Sequence, residues 1–469
     1  MADVNLTIDG KALSVPSTYT ILDAARENGI HIPTLCFLKQ LAPRASCRMC
    51  VVEVAGARTF QHACAAKVRE GMVVYTDTEA VRASRKLTLE LLLSNHAVDC
   101  HHCLRIGSSK CDDLDPKFCE MCFFCDCVKD GFCDLQALAR EYKVDMLPFS
   151  QMHNTHPVDA TAAIVRNPNK CIKCKRCVDV CGKVQTVHNL TASGRACEVT
   201  IGPAFGRSMA ESGCVGCGRC VEVCPTGAIY AMEHKDELVY YAHKDGMTTA
   251  AVVSVDLISE LEHVLKLVPG SVTLLEIAGA LKKIGVDTVY DSQEAEEAAK
   301  AQAEALLDEK CKAGRPVILT NSFAAKAFLE KYFPDRQSSF LFYDSPLAVF
   351  GKAVKADKRF VFGAVGNDAA ECEKTGFVDI AVNPRELARI MIRTGSEPNP
   401  KRTAAFASLN LPKASGKYGT LLNKALWSMD DEPESFLLDG LKCVICHNLG
   451  QARKILEGNE AFDVIRVIG

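Results

Sequence analysis

Two runs of cysteines in the first half of the chain have spacings that suit iron–sulfur chemistry. Each run has the form C-x2-C-x2-C-x3-C, and Pro follows the second run. Three closely spaced thiolates hold three corners of a [4Fe–4S] cubane, and in two-cluster arrangements the fourth cysteine of each run ligates the opposite cluster. We therefore expect a first cubane site on Cys171, Cys174, Cys177 and Cys224. A second cubane site is expected on Cys214, Cys217, Cys220 and Cys181.

Four earlier cysteines have the spacing of a smaller cluster. Ten, two and thirteen residues separate Cys36, Cys47, Cys50 and Cys64 in turn. This arrangement suits a [2Fe–2S] centre, because a loop must wrap one side of the cluster while a later segment closes it. A predicted β-hairpin and a helix ending at Gly29 precede the loop. The segment resembles the N-terminal β-grasp ferredoxin domain shared by [FeFe]-hydrogenases and the large iron–sulfur subunit of respiratory complex I.

A histidine and three cysteines form the next expected site. His96, Cys100 and Cys103 have H-x3-C-x2-C spacing, which resembles a signature of the same families. In those families a third cysteine follows inside a phrase close to G-x-C-x-L-Q-x-L-A, and the matching phrase here contains Cys133. The resemblance implies a [4Fe–4S] cluster on His96, Cys100, Cys103 and Cys133. A neutral imidazole in place of a thiolate should raise the potential of this cluster.

An insertion over residues 104–130 has no counterpart in those families. Its cysteines are Cys111, Cys119, Cys122, Cys125 and Cys127. Three of them repeat the C-x2-C-x2-C spacing of an additional [4Fe–4S] cubane, with Cys111 or Cys127 as the fourth ligand. Structural zinc would suit such thiolates as well. A further alternative assigns them to the neighbouring histidine site, where Cys111 is the main rival of Cys133.

The elements that must position these ligands divide the chain into four predicted domains. These are a [2Fe–2S] ferredoxin-like β-grasp domain over residues 1–80, a histidine- and cysteine-ligated [4Fe–4S] domain with the insertion over 81–158, a bacterial-type 2[4Fe–4S] ferredoxin module over 159–238, and an α/β domain over 239–469. The first three form an α+β front half. In the last, here called the rear half, apolar strand-like runs alternate with helical stretches, which favours parallel strands.

The rear half is similar to the [FeFe]-hydrogenase catalytic domain in several phrases. They are Ala278–Lys283, Asp344–Pro346, Arg385–Arg389 and Asn448–Lys454. The family's T-S-C-C-P-G-W loop aligns with Thr320–Lys326, so Ser322 replaces the proton-relay cysteine and Phe323 replaces a ligand of the active-site cluster. The family's M-P-C loop aligns with Val365–Asn367, and Ala370 replaces the lysine expected after it. The remaining two ligands would follow Asp463–Gly469. The resemblance therefore implies no catalytic residue and no hydrogen chemistry in this chain.

The remaining cysteines show no complete ligand pattern. Cys197, Cys311 and Cys372 are isolated in sequence, which favours inert core packing. Cys443 and Cys446, followed by His447, have C-x2-C spacing that suits a redox dithiol or half of a metal site. No second half is apparent in the sequence, so packing in the core is the favoured interpretation.

Charge and composition limit the partners and the cellular compartment that we expect for this chain. The net charge of -3 gives no electrostatic footprint for nucleic acid. No secretory signal and no apolar run of the ~18 residues needed for a membrane span is apparent. We therefore expect a cytoplasmic protein, where reducing conditions favour metal ligation over disulfides. No G-x-G-x-x-G phosphate loop is found, so flavin and nicotinamide sites are expected on partner subunits.

These observations predict an electron-transfer subunit of a multi-subunit oxidoreductase in an anaerobe. The resemblance implies an electron-bifurcating complex with a flavoprotein subunit that exchanges electrons with NAD(P)H, a small [2Fe–2S] subunit, and ferredoxin. A formate dehydrogenase or [NiFe]-hydrogenase is the expected further catalytic partner. One [2Fe–2S] and three [4Fe–4S] clusters are expected, with a fourth cubane or zinc in the insertion. The alternatives are an enzyme with a different cofactor in the vacated cleft, or a redox sensor.

Overall fold

The computed structural model begins with a mixed sheet and ends with two largely parallel sheets. It describes residues 3–97, 127–129, 133–144, 148–149, 156–161, 163–234, 237–254, 256–265, 267–311, 316–362, 372–423, 428–429, 431–458 and 461–468. Several predicted positions lie outside the described residues, namely Cys100, Cys103, Cys111, Cys119, Cys122, Cys125 and Val365–Ala370.

A five-stranded sheet with one helix forms the first domain. Its elements are β1 (Asp3–Ile8), β2 (Lys11–Pro16), α1 (Ile21–Glu27), β3 (Val51–Val54), β4 (Gln61–His62) and β5 (Met72–Tyr75). The strand order is β2-β1-β5-β3-β4, and the predicted hairpin is β1 paired antiparallel with β2. Thr20 and Asp23 form a capping box that starts α1. The buried face of α1 packs on the sheet, and the loop of residues 30–50 that follows lies at one end of the sheet.

Two helices continue from this domain towards the next. They are α2 (Glu79–Ser94) and α3 (Asp134–Glu141). Arg85 on α2 is buried, and it donates hydrogen bonds to the Val51 carbonyl oxygen at 2.8 Å and to the Tyr142 hydroxyl at 2.9 Å. A buried guanidinium needs such acceptors, because an unsatisfied buried donor is costly. This residue therefore joins β3, α2 and the end of α3.

Short elements build the module that follows. They are β6 (Asp159–Ala160), β7 (Ile164–Arg166), α4 (Arg176–Asp179), β8 (Thr191–Ser193), β9 (Thr200–Gly202), α5 (Arg219–Glu222) and β10 (Ile229–Ala231). The β10-β7-β6 sheet and the β8-β9 hairpin are antiparallel. The two helices carry Cys177 and Cys220 of the two runs. The helix α5 lasts a single turn, whereas α4 continues directly into a π-helical turn over Val180–Val184 that contains Cys181. The remaining cysteines of each run stay in the loops beside these turns.

The rear half contains two sheets flanked by helices. Its helices are α6 (Glu237–Ala242), α7 (Asp256–Val264), α8 (Leu274–Ile284), α9 (Ser292–Cys311), α10 (Phe323–Tyr332), α11 (Pro346–Ala353), α12 (Pro384–Thr394), α13 (Gly419–Leu422) and α14 (Leu449–Glu457). Its strands are β11 (Thr249–Val253), β12 (Thr288–Asp291), β13 (Val317–Thr320), β14 (Phe340–Phe342), β15 (Lys358–Phe362), β16 (Ile380–Val382), β17 (Glu434–Leu438), β18 (Leu441–Cys446) and β19 (Val464–Val467).

The predicted parallel arrangement holds for most of these strands. The β12-β11-β15-β16 sheet is parallel throughout, and in the β14-β13-β19-β18-β17 sheet only β17 is antiparallel to its neighbour. Fully buried runs such as β11 and β19 are typical of sheets covered on both faces. Within the part of the chain that is described, no helix has the length and apolarity needed to cross a membrane.

The rear half packs closely on the ferredoxin-like module. The Leu449 amide donates a hydrogen bond to the Gln185 Oε1 atom at 2.9 Å. Beside it, a Cβ added to Gly450 would lie 2.1 Å from the carbonyl oxygen of Val184. Glycine is therefore needed at the start of α14 to let two backbones approach. This contact covers the segment of residues 180–187, which contains Cys181.

The close approach around Gly351 gives a test of the rear-half packing. A Cβ at this position on α11 would lie 1.9 Å from the Phe377 carbonyl oxygen. We expect Gly351→Ala to lower the free energy of unfolding by about 1–3 kcal/mol, because the two segments must separate. Gly419→Ala is the control, since nothing lies within 4 Å of its added Cβ. Anaerobic urea denaturation followed by circular dichroism measures both, and equal losses would contradict the packing described.

Candidate iron–sulfur centres

The four cysteines of the predicted [2Fe–2S] site lie together at one end of the first sheet. Cys36 and Cys47 belong to the loop before β3, Cys50 precedes that strand directly, and Cys64 follows β4. All four are buried, and the Cys50 and Cys64 sulfurs are 3.3 Å apart. Hydrogen bonds between neighbouring thiols lower the pKa of Cys36 to about 5, through Cys47, and that of Cys50 to about 7, through Cys64. Two adjacent thiol pairs are what the two irons of an all-cysteine [2Fe–2S] centre require.

Two members of the predicted histidine site, His96 and Cys133, are among the described residues, and both are buried. His96 is buried just after α2, and Cys133 is buried at the start of α3. Burial, with a contribution from Cys127, raises the pKa of Cys133 to about 11. The Cys127 sulfur lies 3.2 Å from the position that a Cβ of Gly227 would occupy. The end of the insertion is thus placed between the histidine site and the first cubane site.

Each predicted cubane site is a cavity lined by its four cysteines. The first cavity, with an empty volume of about 390 Å³, is lined by Cys171, Cys174, Cys177 and Cys224. The second, of about 350 Å³, is lined by Cys181, Cys214, Cys217 and Cys220. The fourth cysteine of each run therefore faces the cavity of the other run, as the crossed ligand sets require. The similar volumes suit a duplicated site.

Backbone amides point at the sulfurs of both cavities. The amides of Lys173 and Gly216 donate to the sulfurs of Cys171 and Cys214, each at 3.4 Å, and the Asn189 amide donates to Cys181 at 3.3 Å. Such donors stabilise negative charge on a thiolate. They are also among the features that set cluster potentials.

The geometry suits a polynuclear cluster better than a single metal ion. Among the described residues, no three His, Cys, Asp or Glu side chains converge as they would around one ion. Four cysteines instead share the lining of each cavity, which is the number of ligands that a [4Fe–4S] cluster requires. The residues present therefore fit [4Fe–4S] clusters in both cavities.

Buried side chains around the candidate centres belong to three neighbouring hydrophobic clusters. Cys36, Cys47, Cys133 and Cys174 share one hydrophobic cluster with Leu35 and Met49. A second cluster contains Cys177, Cys220 and Cys224. A third packs Cys181 and Cys217 against α10, α14 and β19 of the rear half. Each candidate centre thus contributes at least one described cysteine to these clusters.

The [2Fe–2S] loop is held on the ferredoxin-like module by an ion pair that the cysteine spacing does not predict. Arg44 donates to both carboxylate oxygens of Asp179, at 2.5 and 2.6 Å, and Lys183 lies 2.8 Å from the same group. Burial acts to raise the pKa of Asp179, but the two cations outweigh it and hold the pKa below its usual value. Asp179 lies on α4, two residues after Cys177. No sequence signal links Arg44 to it, because 135 residues separate the two.

The loop aligned with the hydrogenase active site has no thiol. Ser322 caps the start of α10 and accepts a hydrogen bond from the Ala325 amide at 3.4 Å. Phe323 packs in a hydrophobic cluster with Phe350 and Cys372. Cys372 is fully buried, and its sulfur is 3.8 Å from the Ser345 hydroxyl. At these aligned positions the Ser322 hydroxyl caps a helix, and the phenyl ring of Phe323 offers no ligand atom for iron.

Cys443 and Cys446 do not form a site together. They lie three residues apart on β18, so their side chains project from opposite faces of the sheet. Cys443 packs with α9 and α13, whereas Cys446 packs with α10 and α14. A redox dithiol and a shared metal ion are both incompatible with this placement. His447 instead lies 3.3 Å from Glu434.

Comparison with known proteins agrees with this arrangement. Family models match at residues 1–79 (2Fe-2S iron-sulfur cluster binding domain), 211–230 (4Fe-4S binding domain) and 247–417 (Iron only hydrogenase large subunit, C-terminal domain). The NADP-reducing hydrogenase subunit HndD of Solidesulfovibrio fructosivorans is 32% identical in an alignment of 426 residues that covers 84% of this chain and 69% of the relative. The chain belongs to the iron-only hydrogenase large-subunit family.

Other matches of this hydrogenase-family chain are partial. An NADH-quinone oxidoreductase subunit of Rhizobium meliloti (strain 1021) is 34% identical over 235 residues, which are 50% of this chain and only 24% of that relative. A crystal structure of an NAD+-reducing [NiFe]-hydrogenase in the H2-reduced state matches at 25% identity, covering 49% of this chain and 88% of that one, with a TM-score of 0.40. The match to the Rhizobium relative is therefore confined to part of each chain.

The crossed ligand sets predict which cluster each cysteine variant loses. Cys224→Ala should deplete the first cubane site, although its sequence run contains the ligands of the second. Cys181→Ala should deplete the second site. Cys372→Ala, which removes a buried thiol far from both cavities in sequence, should leave the iron content unchanged. Iron quantification and electron paramagnetic resonance of anaerobically prepared protein measure this, and loss of the same signal in both ligand variants would contradict the crossing.

The two cations that contact Asp179, Arg44 and Lys183, should contribute differently to stability. Arg44→Met should lower the free energy of unfolding by about 2 kcal/mol, because it removes two charge-assisted hydrogen bonds from a buried carboxylate. Lys183→Met should cost less than about 1 kcal/mol, because that cation is half exposed and screened. Anaerobic denaturation followed by visible cluster absorption compares them. A larger effect of Lys183→Met would show that Arg44 is not the principal anchor.

Proposed function

We propose that this chain is an iron–sulfur electron-transfer subunit of a cytoplasmic, electron-bifurcating oxidoreductase linked to NAD(P)H and ferredoxin. The observation that carries the proposal is the combination of two cavities lined by cysteines with an aligned catalytic loop that offers only Ser322 and Phe323. When bound, iron–sulfur clusters supply one-electron transfer. The chain's own residues hold the clusters, exclude water from them and pack around them.

The proposed ligand sets are those predicted from spacing. They are Cys36, Cys47, Cys50 and Cys64 for [2Fe–2S]; His96, Cys100, Cys103 and Cys133 for one [4Fe–4S]; and the two crossed sets for the others. Burial supports the described members of the first two sets, and the shared lining of each cavity supports the two crossed sets. For the insertion cysteines, the placement of Cys127 beside Cys133 and Gly227 supports a redox role near the histidine site.

The proposed partners follow from the names of the relatives. HndD is a subunit of an NADP-reducing hydrogenase, and the Rhizobium relative is a subunit of an NADH-quinone oxidoreductase. We therefore propose a flavoprotein subunit that oxidises or reduces NAD(P)H, a small [2Fe–2S] subunit, ferredoxin, and a further catalytic subunit such as a formate dehydrogenase or a [NiFe]-hydrogenase. The rear half would serve as their docking platform.

Purification from the native host under anaerobic conditions tests the proposal. A tagged chain should carry about 14 iron atoms, or about 18 with an occupied insertion cubane, and should co-purify with a flavoprotein. The isolated chain should produce no dihydrogen from reduced viologen dye. A colourless protein without reducible paramagnetic signals would overturn the cluster assignments. A monomer without a flavoprotein partner would overturn the assigned complex, and a flavin bound in the rear half would instead favour an enzyme.

A further inference from the structure

The two cubane motifs differ at the positions where the backbone is left-handed. In the second motif these positions are Gly216 and Gly218, with φ of 70° and 76°. The corresponding positions of the first motif are Lys173 and Lys175, with φ of 56° and 64°. Glycine adopts this region without steric cost, whereas other residues do so at a cost in energy. The first motif thus has lysine at two positions where the left-handed backbone favours glycine, and the second motif has glycine at both.

Both lysine side chains belong to the surroundings of the first cubane site. They are only partly exposed, and Lys175 lines the cavity with the four cysteines. The charge of Lys173 also acts on the neighbouring Cys171 thiol. Partly buried charges are screened less by water and salt than exposed ones.

Several of the other charges near the two sites match or cancel. Arg176 of the first motif corresponds to Arg219 of the second. Arg166 lines the first cavity but forms an ion pair with Asp159 at 2.8 Å. On the second side Lys331 approaches Gly213, from an exposed position on α10. Two further cations at the first site have no such counterpart: the Lys129 ammonium donates to the Cys224 carbonyl oxygen at 3.1 Å, and Lys170 is buried beside Cys171. The first site therefore has an excess of positive charge, to which Lys173 and Lys175 contribute.

We propose that Lys173 and Lys175 raise the reduction potential of the cluster on Cys171, Cys174, Cys177 and Cys224 above that of the cluster on Cys214, Cys217, Cys220 and Cys181. Reduction adds one negative charge to a cluster, and nearby positive charge stabilises the reduced form. The first site shares its core with the [2Fe–2S] loop and Cys133. Of the two cubanes, the first would therefore hold an electron that reaches the pair in preference to the second. The inference rests on the cubane assignments of the proposed function.

Two pairs of substitutions separate the charge of the lysines from the backbone strain. Lys173→Gly with Lys175→Gly copies the second motif and relieves the left-handed backbone, so it should fold at least as well as the parent. Lys173→Met with Lys175→Met removes the charges and keeps both the bulk and the strain. In each double variant the ratio of reduced to oxidised first cluster at a fixed potential should fall about tenfold, equivalent to ~59 mV for one electron. Lys331→Met is the control on the second site and should change its ratio less than about threefold.

Redox titration monitored by electron paramagnetic resonance measures these shifts, after iron quantification of each preparation. Missing clusters in the parent protein would overturn the proposed function, whereas clusters that are present and do not shift would overturn this inference alone. A shift in the glycine variant but not in the methionine variant would assign the effect to solvent access and overturn the role of charge. An unchanged potential with slower, salt-sensitive reduction by an acidic ferredoxin would make the lysines a docking site, and would also overturn the proposal.

Discussion

A buried thiolate is stable only beside compensating positive charge, and this constraint organises the front half of the molecule. Burial raises the pKa of Cys174 and Cys217 to about 12 and that of Cys171 to about 11. In the absence of metal such groups would hold their protons at neutral pH. Iron supplies the missing charge, and amide donors such as that of Gly216 add to it. The cavities therefore combine features that favour cluster binding over free thiolates.

The same constraint explains why the separate ligand loops converge. A cluster-binding loop must be wrapped by structure that excludes water, yet each loop here is too short to bury its own ligands. The [2Fe–2S] loop obtains this cover from α4 through Arg44 and Asp179, and the histidine site is joined to the module by the Asp134 amide, which donates to the Pro225 carbonyl oxygen at 2.9 Å. The result is a set of neighbouring apolar clusters around the candidate ligands.

Much of this arrangement could be predicted from local patterns. Cysteine spacing grouped the side chains that line each cavity, and the alternation of strand-like runs with helical stretches predicted the parallel strands of the rear half. Tertiary pairings could not be predicted in this way. The partner of Arg44 lies on another domain, and the opposite orientations of Cys443 and Cys446 depend on whether that segment is a strand or a loop. The left-handed backbone at Lys173 could not be predicted either, because lysine, unlike glycine, does not indicate that conformation in a sequence.

Through the contact between α14 and residues 184–187, the rear half has a structural role that does not depend on catalysis. Cys181 and Cys217 pack against Val187, Phe328 and Leu449, so apolar side chains cover that side of the second cubane site. Dioxygen destroys exposed iron–sulfur clusters, and the hydrophobic shell around a metal site controls access to it. The fold of the rear half therefore acts as a shield for one side of the second cubane site.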